Sequence, residues 1–270
     1  MNRENWIARH PYLRPIAEFQ GQVETAAASL PAAFASIPEW RDYAEEFRAG
    51  VPLLGSSNCL VDLRPVPTIL RSLVEKLART SLPDQPAEEI RNLETRLAGD
   101  PSAPEHAVAW LVEENPPPPP HSGMLRYVGW TVLARYLSRV VGQFGAWREE
   151  EQWLRSYCPT CGSLPAMAQL AGAESRMRHL SCGCCGTRWL FRRTGCPFCE
   201  NRDDHRLAVV AIEGEEGLRI DYCESCSGYL KTYAGTGSES LLLADWTSLH
   251  LDIIAGDRGW KRLAASLYSL

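Results

Sequence analysis

Nine of the ten cysteines in this chain of 270 residues lie between positions 158 and 226, and eight of them can be written as four C-x2-C pairs. Two cysteines three positions apart on a tight turn direct their sulfurs at one point, and two such turns facing each other form a tetrahedral site. The stretch therefore predicts two metal sites of four cysteines each. The predicted ligands are Cys158, Cys161, Cys182, Cys185, Cys196, Cys199, Cys223 and Cys226.

The spacing between pairs favours a sequential arrangement, in which the first pair joins the second and the third joins the fourth. These gaps hold 20 and 23 residues, close to the roughly 15–20 residues usual for such sites, whereas the connection between the two predicted sites holds 10. Local hairpins also close at a lower entropy cost than long loops. An interleaved arrangement, with the first pair joined to the third, is the alternative.

Metal binding explains four pairs better than thioredoxin-like dithiol chemistry, which needs only one pair. A tetrahedral set of four sulfurs accepts zinc or iron. Zinc would be structural, whereas iron would permit one-electron redox chemistry. The spacing alone does not choose between them.

The second pair lies in the sequence SCGCCGTRW, which contains a surplus cysteine. Cys182 and Cys185 have the required spacing, so Cys184 is predicted to be outside the metal site. Its side chain is expected to point away from the ion as a spare thiol.

The first 155 residues predict a helical domain. Apolar residues recur every three or four positions in the segments that begin PIAEFQ, PEWRDY, PTILRS, PAEEIR and SAPEHA. Gly50 is a plausible helix end. Five consecutive prolines from position 116 predict an extended spacer. The segment 124–147 after them predicts one long central helix of a bundle, since arginines interrupt its apolar residues.

The character of the sequence changes near residue 156. The runs RWLFRR, RLAVVAIE and LRIDYC predict strands, Gly214 and Gly217 predict a hairpin turn, and the tail returns to a helical pattern. The predicted class is α+β. Its predicted parts are a helical domain 1–155, a first metal module 156–190, a second metal module 191–237 and a C-terminal helical segment 238–270.

Several features limit the function. The net charge of −5 gives no support to a nucleic-acid binder, no segment has the roughly 18 apolar residues of a membrane span, and the N-terminus shows no secretory signal. We therefore expect a cytoplasmic protein. Because the sequence contains no familiar catalytic motif, no catalytic residue is predicted. Asp245 and Asp252 share a helix face and are expected to be solvated or capping, and His179 is expected at the surface.

The cysteine region resembles the FdhE-type accessory proteins of formate dehydrogenase. The similarity lies in CPTCGSLP, LSCGCCGTRWLFRRTGCPFC, YCESCSGYLKTY and DWTSLHLDIIAGDRGWKR. The family pattern W-x3-R-x2-C is met by Trp189, Arg193 and Cys196. The pattern C-x2-C-x2-Y-L-K is met by Cys223, Cys226, Tyr229, Leu230 and Lys231, and the closing pattern by Leu251, Asp252 and Gly259.

The resemblance implies a helical N-terminal domain followed by two rubredoxin-like or zinc-ribbon-like β modules and C-terminal helices. It implies a chaperone-like cytoplasmic factor, not an enzyme, that is needed to make active molybdenum- or tungsten-dependent formate dehydrogenase. The expected cofactors are two metal ions, iron in the cell or else zinc. The expected partner is the catalytic subunit of that enzyme.

The metal region carries a local excess of arginine interleaved with aromatic residues, which predicts a partner-binding face. The predicted contacts are Arg188, Trp189, Arg192, Arg193, Tyr229 and Lys231. Coverage of sheet rims by long arginine stems is the alternative. Two other functions are retained as alternatives: an iron-dependent electron carrier, and a zinc-ribbon nucleic-acid binder, against which the acidic balance argues. The sequence leaves the oligomeric state open.

Overall fold

A computed structural model describes residues 2–33, 37–113, 119, 122–171, 177–215, 217–235 and 244–265. The predicted proline spacer falls outside these residues except for Pro119, as do the first six and last five residues of the predicted C-terminal segment. Everything below refers to the described residues.

The N-terminal part is helical, as predicted. The α-helices are α1 (Arg3–Arg9), α2 (Arg14–Ala27), α3 (Trp40–Ala49), α4 (Val66–Ala78), α5 (Asp84–Gly99), α6 (Ala103–Glu113), α7 (Ser122–Tyr136), α8 (Ser138–Trp147) and, near the C-terminus, α9 (Leu249–Asp257). Their apolar faces form the main core, in which Val23, Leu70, Leu73, Ile90 and Val128 are fully buried. Among the residues that the structure describes, no helix is both long and apolar enough to cross a membrane.

The single long helix predicted for 124–147 is wrong, because the chain forms α7 and α8 with an interruption at Leu137. The hydroxyl of Ser138 donates to the carbonyl of Arg135 at 2.8 Å. Such a bond competes with the regular backbone pattern and favours a break. The helix α7 is largely buried, as expected of a central helix of a bundle, whereas α8 buries only Val140 and Phe144.

Six strands form one sheet: β1 (Pro165–Leu170), β2 (Met177–Cys182), β3 (Arg188–Arg192), β4 (Leu207–Ala211), β5 (Leu218–Cys223) and β6 (Gly228–Ala234). Their order is β3-β2-β1-β6-β5-β4. The neighbours pair antiparallel except β1 and β6, which run parallel with Ala168 opposite Thr232. The α+β class is confirmed. The strands of the two predicted modules thus belong to a common sheet, and the predicted boundary at 190/191 falls within β3; the division into domains stays a prediction.

The end of α3 contacts the segment that leads from the helical part into the first cysteine pair. Gly50 ends α3 in the left-handed conformation with φ 91°. A β-carbon there would lie 2.5 Å from the Arg155 guanidinium and 2.6 Å from the Tyr157 hydroxyl, so glycine is required. The Tyr157 hydroxyl donates to the Gly50 carbonyl at 2.7 Å. This contact packs the end of α3 against the segment that immediately precedes the first cysteine pair.

Candidate metal centres

The first four-sulfur cluster, here called the inner site, consists of Cys158, Cys161, Cys182 and Cys185. Two sulfur pairs across it, Cys158 with Cys185 and Cys161 with Cys182, are each 3.5 Å apart. A tetrahedral ion with metal–sulfur bonds of about 2.3 Å needs sulfurs about 3.8 Å apart. The inner site therefore fits one zinc or iron ion.

Backbone groups shape the two turns of the inner site. The amide of Thr160 points to the sulfur of Cys158 at 3.4 Å, and the amide of Cys185 points to the sulfur of Cys182 at 3.5 Å. Amide groups aimed at sulfur stabilise thiolates. Each turn is followed by a glycine with positive φ, Gly162 at 84° and Gly186 at 75°.

Two threonines that the sequence reasoning did not select connect the turns of the inner site. The hydroxyl of Thr187 lies 3.1 Å from the sulfur of Cys185 and donates to the hydroxyl of Thr160 at 2.8 Å. Both threonines are fully buried. Their positions beside the cysteine pairs were visible in the sequence, but only the fold shows that they meet.

The second cluster, here called the outer site, consists of Cys196, Cys199, Cys223 and Cys226. Its cross-pairs, Cys196 with Cys226 and Cys199 with Cys223, are each 3.7 Å apart. These distances also match a tetrahedral ion with four sulfur ligands. The two clusters are therefore the sequential ones, and the interleaved alternative is wrong. Assignment of the eight cysteines as metal ligands stays a prediction.

The turns of the outer site differ from those of the inner site. The residues after the second cysteines, Glu200 and Ser227, have φ of 59° and 58° and are not glycine. Burial raises the pKa of Cys196. Burial also raises the pKa of Cys223, but backbone amides of Cys226 and Ser225 outweigh it and lower that pKa below its ordinary value.

Cys184 lies outside the four-sulfur set, but it is buried with 3% of its surface exposed. Its interaction with Cys161, together with burial, holds the pKa of Cys184 well above its ordinary value. The side chain also borders a very small apolar cavity with Leu54, Leu133 and Leu137. The expected spare thiol is thus part of the packing around the inner site.

Three of the six predicted partner contacts lie in the interior. Trp189 is 0% exposed and donates its indole N–H to the carbonyl of Arg155 at 3.0 Å. Tyr229 and Lys231 are 5% and 1% exposed. Trp189 belongs to the main apolar core and Tyr229 to a second buried apolar cluster, so these buried side chains do not form a partner-facing surface. Of the other three, Arg188 and Arg192 are half-buried and Arg193 is exposed.

Lys231 belongs to a buried network of ion pairs. Its ammonium group lies 2.6 Å from a carboxylate oxygen of Asp245 and 2.6 Å from one of Asp252. Arg262 lies 2.7 and 2.8 Å from the same two carboxylates, and the hydroxyl of Tyr229 donates to Asp252 at 2.8 Å. The solvated or capping role expected for the two aspartates is wrong. The cations next to them offset the cost of burial and lower the pKa of Asp245 to about 2.

Several basic residues of the sheet are engaged inside the molecule. Arg178 and Arg219 lie 3.3 Å and 2.8 Å from the carboxylate of Asp221. Arg188 donates to Gln169. His179, expected at the surface, is half-buried, and burial together with Arg188 lowers its pKa. Many of the basic side chains in this region are therefore paired inside the molecule.

An open groove of about 290 Å³ borders the outer site. Its lining includes Arg193, Phe198 and Val209 together with Cys196 and Cys223 of the outer site. Val209 is 58% exposed on β4, which is an edge strand of the sheet. The sequence pattern selected Arg193 but not the apolar side chains beside it.

The fold and these clusters define an α+β protein with paired four-cysteine sites on one sheet. Residues 157–193 match the protein family described as FdhE, central domain. The chain is 33% identical over 119 residues to a protein FdhE homolog of Aquifex aeolicus, covering 43% of this chain and 42% of that protein. It is 36% identical over 119 residues to a protein FdhE homolog of Pseudomonas putida, covering 41% and 37%. The matched segments thus span about two fifths of these curated relatives.

The structure is similar over most of its length to a crystal structure of the FdhE protein from Pseudomonas aeruginosa. The TM-score is 0.61 at 21% sequence identity, with 95% of this chain and 88% of that chain covered. This likeness shows a common fold. The match of residues 157–193 to the family and the matches to its curated relatives confirm the resemblance of this chain to FdhE proteins.

Proposed function

We propose that this protein is an accessory protein of formate dehydrogenase that binds the enzyme's catalytic subunit during maturation and has no catalytic activity of its own. The carrying observation is the position of the outer site, a four-sulfur cluster of which Cys196 and Cys223 line an open groove. Its ligand Cys199 is exposed, whereas the sulfurs of the inner site lie mostly in the core. A four-cysteine site beside an accessible groove is better suited to binding another protein than to stabilising the fold alone.

In this proposal each four-cysteine site holds one metal ion, iron in the cell or else zinc. The ions order the turns that carry the groove walls, since such turns have little apolar core of their own. The proposed compartment is the cytoplasm. Eight of the ten cysteines form the two four-sulfur clusters, and clustered cysteines that bind metal are more typical of a reducing compartment than of an oxidising one.

The proposed contact surface is the groove itself. Arg193 supplies positive charge, while Phe198 and Val209 supply apolar contact area. This combination suits a segment of the catalytic subunit that carries both an acidic and an apolar side chain. The client proposed from the family resemblance is a molybdenum- or tungsten-dependent enzyme held before its cofactor is complete. Arg192, half-buried at the end of β3, stays a predicted contact.

A complementation and capture experiment tests this function. In a strain lacking the gene, the wild type should restore formate oxidation and retain the catalytic subunit on affinity capture. The variant Arg193→Glu with Val209→Glu should lose both while keeping its metal content. Arg41→Glu, on an arginine whose side chain is 83% exposed on α3, is the matched control and should behave as the wild type. Normal formate oxidation in the deletion strain would contradict the proposal.

The exposure of Cys199 favours one second candidate, an iron-dependent electron carrier. An iron ion with an exposed sulfur ligand lies close to the surface, where electrons can be exchanged with a partner. Anaerobically purified protein should then contain iron and show a reversible reduction potential without metal loss. Stoichiometric zinc with no iron would exclude this candidate and leave the accessory function standing.

A further inference from the structure

Three side chains from distant parts of the sequence meet away from both cysteine sites. His10 follows α1, Glu215 lies in the turn between β4 and β5, and His250 lies in the first turn of α9. The Nε2 atom of His10 lies 2.6 Å from Glu215 Oε1, and the Nε2 atom of His250 lies 3.2 Å from the same oxygen. One candidate ligand atom from each residue lies within 4.8 Å of the others.

The cluster is buried but incompletely satisfied. The side chains of His10, Glu215 and His250 are 6%, 10% and 14% exposed. Within the described structure, Glu215 Oε2 and both ring nitrogens of His250 have no hydrogen-bond partner. The 3.2 Å approach of His250 to Glu215 is therefore close without being aligned as a hydrogen bond. Because buried polar atoms are nearly always paired, these atoms are available to bind a ligand.

One histidine already has the orientation that metal ligands have in proteins. The Nδ1 atom of His10 lies 3.0 Å from the carbonyl oxygen of Trp6, to which an N–H at that position donates. With Nδ1 occupied in this way, Nε2 is the ring nitrogen that faces Glu215. The ring stacks on Trp6 with centroids 4.0 Å apart, which further fixes its plane. A ligating histidine usually donates its other N–H in this way.

We propose that His10, Glu215 and His250 bind a divalent transition-metal ion, with zinc as the ion whose chemistry fits best. Two imidazole nitrogens and one carboxylate oxygen are a common protein ligand set for zinc, and a water completes the tetrahedron. Calcium and magnesium prefer sets made mainly of oxygen. The ion would accept the free lone pairs of Glu215 and His250. The site differs from both cysteine sites in containing no sulfur.

The position of this site gives the ion a structural role. It joins the N-terminal segment to the β4–β5 turn and to α9. The N-terminal segment already contacts this region, since Trp6 donates to the carbonyl of Thr247, just before α9, at 3.2 Å and Arg9 to that of Gly214 at 3.3 Å. An ion bound only in this folded arrangement stabilises the docking of the N-terminal segment by mass action. The proposal does not depend on the accessory function.

Zinc titration of the full chain with both cysteine sites already loaded tests the proposal. The wild type should bind one further zinc per chain and show a higher melting temperature. The double variant His10→Gln with His250→Gln should bind none beyond the cysteine sites. His205→Gln, on an exposed histidine in another turn, is the matched control and should keep the further zinc. Glu215→Gln preserves side-chain shape and should also lose it.

A measurement on the wild type avoids any doubt about variant folding. Zinc should shift the ring signals of His10 and His250 in nuclear magnetic resonance spectra and leave that of His205 unchanged. Failure of the wild type to take up a further zinc would overturn the proposal and leave a histidine–glutamate ion pair. Equal uptake by the double variant would overturn it as well.

Discussion

The inner and outer sites have the same cysteine spacing within each pair but different surroundings. Cys158, Cys182 and Cys185 of the inner site belong to the main apolar core. The helical domain also binds the first turn of the inner site. The amides of Leu53 and Leu54 donate to the carbonyls of Pro159 and Thr160 at 2.8 and 2.9 Å. The outer site instead has an exposed cysteine, Cys199, and borders a groove. Two clusters of the same composition therefore have different structural roles.

The residues around the turns follow the same division. Glycine occupies both left-handed positions of the inner site, whereas Glu200 and Ser227 occupy those of the outer site. A residue other than glycine in this conformation costs about 1 kcal/mol or more. The part of the sheet that carries the outer site is supported by the buried ion pairs of Lys231 and by a second apolar cluster, smaller than the main core, that includes Leu218 and Ile220. The comparison indicates a rigid inner site and a more easily opened outer site.

The largest expected effect comes from removing one ligand of the inner site. Cys185→Ser should lose the inner ion and with it the folded state, because a structural zinc site contributes on the order of 10 kcal/mol. Cys199→Ser is the matched change at the outer site and should lose one ion while the helical domain stays folded. Metal quantitation with circular dichroism checks both. Equal unfolding of the two variants would remove the distinction between the sites.

The sequence predicted much of this architecture because cysteine spacing and apolar periodicity are local signals. The eight candidate ligands, their sequential pairing and most helices depend on residues close together in the chain. The six-stranded sheet did not follow, since the parallel pairing of β1 with β6 joins Ala168 to Thr232 across a long separation. The burial of Lys231 and of Trp189 was missed for the same reason. A lysine in such a motif is expected at the surface, and only the fold shows that Asp245 and Asp252 surround Lys231.

The second-largest expected effect is the loss of stability on weakening the ion pairs of Lys231, beside the outer site. Lys231→Met should lower the free energy of unfolding by about 3–5 kcal/mol, because it leaves two buried carboxylates with one cation fewer. Lys261→Met changes an exposed lysine nearby and is the control. Urea unfolding of both variants measures the difference. A stability equal to that of the control would show that the ion pairs do not support this module.

The same network predicts a dependence on pH. The pKa of Asp245 is lowered from 3.8 to about 2 by Lys231 and Arg262 despite burial. Its stabilising contribution is therefore complete above pH 3.8 and is lost as the pH falls through about 2. Unfolding of the wild type should become easier in that interval. Lys231→Met should show a smaller change, and an unchanged acid dependence would contradict the assignment.

The third effect is a difference in metal release. A chelator should remove the ion of the outer site before that of the inner site, because opening the outer turns exposes less apolar surface. We expect at least about a tenfold difference in release rate, equivalent to about 1.4 kcal/mol in the opening free energy. Stopped-flow absorbance of a coloured chelator gives two phases, and Cys199→Ser should remove the faster one. Loss of the slower phase instead would reverse the order of the sites.

The smallest effect is expected at Cys184. Cys184→Ser should keep both ions and lower the free energy of unfolding by about 1 kcal/mol, because it places a hydroxyl against apolar side chains. Cys184→Ala removes the polar atom and separates that cost from any role of the sulfur. Metal quantitation of the two variants beside Cys185→Ser checks the register of the turn. If Cys184→Ser lost an ion and Cys185→Ser kept both, Cys184 would be the ligand, and the inner turn would have shifted by one residue. Cys184 borders the same small cavity as Cys161, so a fifth sulfur-bearing side chain lies beside the four that fit the ion.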